Sequence, residues 1–193
     1  MRRTPLLPGA LILPLALSAS ACGDPLRITA SDPVATVTMQ LYPFSRVPPT
    51  YPSAINTVFA QGVAVTTAGN FDIAFDLDDE DRVIVMTPRA ITPGAPVNQV
   101  GLLQGGASYE AVVSAPSGPY TYDSLLTIVP GEVVIVESHR GRSGDYCGFA
   151  ISPYIYSKFR VTVIDPDKDL LTVEFTVDPN CGFRSFEPGI PQN

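Results

Sequence analysis

"SKFRVTVIDPDKDLLTVEFTVD", residues 157–178, alternates apolar and polar side chains on both sides of a turn-forming Pro-Asp-Lys-Asp. One face carries Phe159, Val161, Val163, Leu171, Val173, Phe175 and Val177. The other carries Arg160, Thr162, Thr172, Glu174 and Thr176. A period of two is that of a β-strand, whose successive side chains point to opposite faces. Sliding one strand by a single residue would put apolar against polar, so the alternation restricts the pairing. With residues 166–168 as a three-residue loop, Phe159 faces Phe175 and Val161 faces Val173. Arg160 then meets Glu174 and Thr162 meets Thr172, both favourable cross-strand pairs.

"FDIAFDLDDEDRVIVMTP", residues 71–88, repeats that layout. Phe71, Ile73 and Phe75 are set against Thr87, Val85 and Val83 around an acidic turn, which places Asp76 opposite Arg82. Ile84 and Met86 give the second strand an apolar face of its own, so it is expected to be covered on both sides. Further β-branched and aromatic runs lie at 35–42, 56–65, 109–115, 124–129 and 132–138. "PSAINTVFA" and "YDSLLTIV" are each also compatible with a helical turn. Twenty prolines and fifteen glycines punctuate the runs. Eight or nine short, mostly antiparallel strands at this spacing predict a single all-β sandwich, with a β-barrel as the alternative.

The N-terminus has a different logic. "MRRTPLLPGALILPLALSASAC", residues 1–22, opens with two arginines and continues with an apolar run over 6–18, broken by Pro8, Gly9 and Pro14. Ala19, Ser20 and Ala21 follow, the order of a secretory signal. The run is shorter than the roughly 20 apolar residues a spanning helix needs. Ala19-Ser20-Ala21 suits the ordinary signal peptidase. It also resembles the lipobox of bacterial lipoproteins, although Ala19 stands where that pattern most often has Leu. The resemblance covers residues 1–22 only and implies that Cys22 is diacylated and becomes the N-terminus. "MRRT" fits the fuller twin-arginine motif poorly.

Cysteine arithmetic supports the same reading. The chain has three cysteines, Cys22, Cys147 and Cys181. An odd number leaves one thiol unpaired in an exported protein. Acylation of Cys22 resolves this and leaves Cys147 and Cys181 to form a disulfide, the default in an oxidising compartment. The expected organisation is a signal over 1–21, the lipidated cysteine and a short tether over 22–33, a sandwich over 34–187 and a frayed tail over 188–193. Gly23 after the anchor cysteine permits outward sorting where Asp at that position retains lipoproteins in the inner membrane. An outer-membrane or cell-surface location is therefore expected over the inner membrane.

Removing residues 1–21 takes two of the twelve basic residues and none of the nineteen acidic ones, leaving a formal charge of −9. Such a domain repels phosphate backbones, which excludes nucleic acid as an expected partner. Attachment to a membrane then has to come from the lipid.

Catalytic constellations are scarce. His139 is the only histidine. Glu137, Ser138 and His139 are neighbours along a strand and point alternately to opposite faces, whereas a triad needs convergence in space. "GRSGD" lacks the spacing of a nucleophile elbow. Asp76, Asp78 and Glu80 are a weak Ca²⁺ candidate, because Asp81 and Thr87 stand where a calcium loop wants Gly and Glu. No cofactor motif is present. The aromatic cluster in "DYCGFAISPYIYSKF" offers Tyr146, Phe149, Tyr154 and Tyr156 as a binding surface for an envelope protein or glycan; the alternative is that these rings close the end of the core. The expected function is a lipid-anchored, non-catalytic binding or envelope-structural module. The rivals are an envelope hydrolase or lyase using Asp72, Asp76 and Glu137, and an accessory subunit of an assembly or transport complex.

Overall fold

The computed structural model describes residues 29–65, 70–94, 97–141, 145–150 and 152–192. The signal segment, Cys22 and residues 23–28 of the tether lie outside them. Eleven strands run in order among the described residues: β1 (Ala35–Leu41), β2 (Ala54–Asn56), β3 (Gln61–Val63), β4 (Ile73–Leu77), β5 (Val83–Met86), β6 (Val100–Gly105), β7 (Thr121–Tyr122), β8 (Leu125–Ile128), β9 (Val133–His139), β10 (Tyr154–Asp165) and β11 (Leu170–Asp178). They form two antiparallel sheets, ordered β1-β11-β10-β9-β6-β7 and β3-β2-β4-β5-β8. The chain is an all-β sandwich with one disulfide, Cys147–Cys181, whose Cα atoms are 5.9 Å apart. No helix among the described residues is long and apolar enough to cross a membrane.

The core lies between the sheets. Ile55, Ile73, Phe75, Val83, Val85 and Ile128 come from the smaller sheet. Val100, Val134, Val136, Phe159, Val173 and Phe175 come from the larger. Phe75 and Phe159 meet edge to face across the gap, with centroids 5.3 Å apart.

The β10–β11 hairpin pairs as the alternation predicts from Phe159↔Phe175 through Val161↔Val173. Beyond that a β-bulge at Thr162 shifts the register, so Val163 rather than Thr162 faces Thr172. The Thr162 hydroxyl donates to the Thr172 carbonyl at 3.1 Å. The bulge turns Val163 outward, 52% exposed, and brings Ile164 against the core. An extra residue on one strand re-aims every side chain after it, which alternation by itself does not reveal.

The β4–β5 hairpin keeps the predicted faces with a register two residues away. Phe75 pairs with Val85, and Asp76 lies opposite Ile84 instead of Arg82. The turn sets this. Asp78 Oδ1 accepts from the backbone amides of Glu80 and Arg82 at 2.9 and 2.8 Å, and Asp81 takes a left-handed φ of 55°. Arg82 therefore pairs with Asp78 at 2.8 Å. Met86, on the other face of β5, and Ile91 of the short helix α1 (Pro88–Ile91) both pack against the cluster of Ala54, Phe71 and Ala74.

Three other segments depart from the sequence reading. The run 56–65 is two strands, because residues 57–60 turn back and Ala60 adopts φ 47°. Residues 109–115 are not a strand. Ser108 accepts from the amides of Ala111 and Val112, and the segment lies across the outer face of the larger sheet with Tyr109, Val112 and Ala115 buried. Lys158 pins it there by donating to the carbonyls of Tyr109 at 2.5 Å and Val112 at 2.9 Å. β6 replaces it in the sheet; Gly101 and Gly105 interrupt the β-branched pattern that would have marked that strand. At the C-terminus, Val34 donates its amide to Gly189 at 2.9 Å, so the tail joins the sandwich as far as that residue.

Candidate functional site

β9 and β11 end, and β1, β4 and β10 begin, at the same end of the sandwich, because the pairings are antiparallel. One of the polar residues the sequence marks out, Asp72, anchors a buried network here. Asp72, just before β4, is fully buried. Its Oδ2 accepts from the Thr57 amide and hydroxyl, both at 2.7 Å, and from Arg140 Nη2 at 2.5 Å. Arg140 follows β9 in the other sheet, so the ion pair ties the two sheets together. Its second guanidinium nitrogen lies 3.7 Å from Asp145. With the Asn98 amide oriented to satisfy both neighbours, its oxygen accepts from Arg140 at 2.8 Å and its nitrogen donates to Asp145 at 3.1 Å.

This network roots two turns. Thr57 opens the β2–β3 turn, which carries Phe59. Arg140 accepts the Cys147 amide on its own carbonyl at 2.9 Å, and Asp145 and Cys147 frame the turn that carries Phe149. The disulfide fixes that second turn to Cys181. On the neighbouring strand end, Asp178 is buried and receives the backbone and side-chain nitrogens of Asn180 at 3.0 and 2.7 Å. Burial pushes its carboxyl above the ordinary range despite those bonds.

A second polar cluster lies on the outer face of the larger sheet. Glu137 accepts from the hydroxyls of Tyr122 and of Tyr156, the latter at 2.8 Å. Arg184 donates to the Tyr156 hydroxyl at 2.6 Å and sits 3.8 Å from Glu137. Burial and the hydrogen bonds to Glu137 raise the pKa of both tyrosines. Tyr120 nearby is pushed up to about 12 by burial and the Glu137 charge. These phenols stay protonated near neutral pH and serve as donors. Gly101 makes the arrangement sterically possible: a Cβ there would lie 2.8 Å from the Tyr122 ring and from Tyr120 Cβ.

The carboxylates of the hydrolase reading do not converge. Asp72 lies between the sheets, Glu137 on the outer face, and Asp76 at the far end, where it accepts the Ser45 hydroxyl at 2.8 Å. Ser138 points inward, with its hydroxyl 3.4 Å from that of Thr57, while Glu137 points outward. His139 packs edge to face on Tyr154, centroids 5.3 Å apart. Of the weak Ca²⁺ set, Asp78 binds its own turn and Arg82, and Glu80 lies 3.3 Å from Arg82. Among the described residues no three His, Cys, Asp or Glu side chains converge as a metal site would require.

The four aromatics of the expected binding surface divide into two pairs. Tyr154 is half-buried and Tyr156 buried, both beside the Glu137 cluster. Tyr146 and Phe149 are exposed, the latter at 97%. They line a groove of about 390 Å³ together with Thr29, Asp32, Ala150 and Asn180. Phe59, 69% exposed, stacks edge to face on Tyr146 at 6.5 Å. No family model, curated protein or solved structure matches the chain.

Sequence reasoning reached Asp72, Glu137 and the aromatic loop. It missed Arg140, Thr57, Asn98, Tyr122 and Arg184, whose partners are distant in the chain. One signal was available: Asp72 in "FDIAF" is a charge inside an apolar run, and such a charge needs a buried partner.

Proposed function

We propose that the protein is a lipid-anchored, extracytoplasmic sandwich that acts as a non-catalytic binding or envelope-structural module. One observation carries the non-catalytic part. The carboxylates best placed for acid–base work, Asp72 and Glu137, are buried on opposite faces of the larger sheet. Each is engaged by cations and hydroxyls that hold the fold. An anchored module of this kind presents its ends and turns to partners, and the exposed aromatics of the disulfide-held turn supply contact area at low entropic cost. The signal, the lipobox-like segment and the odd cysteine support the anchor.

Two measurements test the proposal. The intact mass of the membrane-extracted protein should begin at Cys22, carry acyl chains and show one disulfide; a mass from Cys22 without lipid overturns the anchor. A panel of envelope polysaccharides and esters should show no turnover by the purified protein. Turnover that is abolished by Glu137→Gln or Asp72→Asn in a folded variant overturns the non-catalytic reading.

A further inference from the structure

Phe149 stands out among the exposed apolar side chains. Two residues earlier, Cys147 is 1% exposed and disulfide-bonded, while Phe149 is 97% exposed. Its turn is closed by Gly148 donating to Asp145 and Ala150 donating to Cys147, both at 3.0 Å. The turn is thus held by the disulfide and the Arg140 carbonyl and carries a ring that contributes nothing to the core. Phe59 is presented the same way from the β2–β3 turn and stacks edge to face on Tyr146, which lines the same groove as Phe149. Three aromatic side chains form one protruding tip.

The tip lies where the chain enters the domain. Thr29 and Asp32 share its groove with Tyr146 and Phe149. Seven peptide steps separate Thr29 from Cys22, and at full extension they span at most about 25 Å. An acylated Cys22 therefore holds this end of the sandwich, and not the other, against the bilayer.

Charge is distributed to match. At the opposite end, the β4–β5 turn carries Asp78, Asp79, Glu80 and Asp81, and the β10–β11 turn carries Asp165, Asp167 and Asp169. Arg46 bridges the two turns, 3.2 Å from Asp81 and 3.8 Å from Asp169. β10 runs from one end to the other over twelve residues, roughly 36 Å at strand rise. That separation is several times the Debye length of about 8 Å at physiological salt. The acidic turns favour the orientation that keeps them farthest from an anionic leaflet, while at the aromatic end Asp32 lies in the groove beside the tip.

We infer that the tip formed by Phe59, Tyr146 and Phe149 seats in the interfacial layer of the lipid bilayer to which Cys22 is anchored. Aromatic rings suit that layer, where one side is apolar and the other wet. The buried Asp72–Arg140 pair then has a second role: by rooting both turns it keeps the rings at one level. The inference rests on acylation of Cys22.

The chain contains no tryptophan, so a single introduced indole reports its own surroundings. F149W is compared with V163W, whose position is 52% exposed near the acidic end. Both proteins are held on phosphatidylcholine vesicles through Cys22, by their native acyl chains or, if the mass shows none, by coupling its thiol to a maleimide-headgroup lipid. F149W should emit at shorter wavelength and lose intensity to brominated acyl chains, and V163W should do neither. Equal emission and quenching for the two overturns the inference, and it is the result expected if the tip serves a protein partner, because these vesicles carry none. The intact mass, read separately, decides the anchor.

Discussion

Arg140 and Asp72, 68 residues apart, meet between the sheets at 2.5 Å with side chains 8% and 0% exposed. A buried pair of this kind is costly to break, because the remaining charge has no solvent, yet it adds little over a well-packed apolar pair. The pair is also incompletely satisfied: Asp72 Oδ1 and Arg140 Nε have no hydrogen-bond partner among the described residues. Asp72→Ala or Arg140→Met alone should therefore destabilise the domain by about 3–5 kcal/mol in urea melts. An Asp72→Leu, Arg140→Met double variant should recover a large part of that loss. A double variant as unstable as the sum of the singles would mean that the charges themselves are required.

The Cys147–Cys181 bridge closes a loop of sequence separation 34. A loop of that size is worth roughly 3–4 kcal/mol in chain entropy. Reduction, or a Cys147→Ala, Cys181→Ala variant, should lower the midpoint of denaturation by a corresponding amount. Proteolysis should then cut first between residues 141 and 153, where the turn has lost its covalent tie.

Asp178 gives a pH signature of known sign. Burial raises its carboxyl pKa above the ordinary value, so between the two values the folded state holds more protons than the unfolded one. Its contribution to stability is fully present below the unfolded value and is lost as pH rises through the folded one. Asp178→Asn should remove this term. The difference in unfolding free energy, wild type minus variant, should fall as pH rises from about 4 towards neutrality, given the ordinary carboxylate value near 3.9. A difference that rises with pH would show that the buried carboxylate is held in its charged form.

The β-bulge can be read by substitution. Val161 is buried and precedes the bulge; Val163, on the same face by simple alternation, is exposed. Val161→Ala should cost about 1–3 kcal/mol, and Val163→Ala should stay within about 0.5 kcal/mol of wild type. Similar costs at both positions would place Val163 in the core and remove the bulge.

Gly101 tests the Glu137 cluster. A Cβ at Gly101 would lie 2.8 Å from the Tyr122 ring that reaches Glu137, so Gly101→Ala forces the ring to move. The substitution should cost about 1–3 kcal/mol, the usual range for overpacking. Tyr122→Phe in the Gly101→Ala background should add little more, because the hydroxyl would already have lost its acceptor. Full additivity in that double-mutant cycle would show that Gly101 and the Tyr122–Glu137 bond are independent.

Much of the fold was legible because its signals are local. Alternation in 157–178 and 71–88 specifies strands and buried faces within a few residues, and cysteine parity leaves Cys147 and Cys181 for each other once Cys22 is expected to be acylated. The two hairpins also show where that ends. Alternation restricts the register only modulo two, so the Asp78 turn was free to shift β4–β5 by two residues. A bulge at Thr162 was equally invisible, since an inserted residue changes which face follows it without changing composition.

The sequence by itself determined the all-β class and most of the apolar faces, which follow from period-two patterning; it left sandwich and barrel both open and reached the disulfide through the expectation that Cys22 is acylated. The tertiary structure alone decided which polar residues are buried and with whom. Asp72 meets Arg140 and Thr57, and Glu137 meets Tyr122, Tyr156 and Arg184, only after antiparallel pairing has brought distant strand ends together. The exposed tip was decided the same way. The sequence left Phe149 open between a binding surface and the end of the core, and its exposure results from a turn held by a disulfide and a buried guanidinium, constraints that act through space and not along the chain.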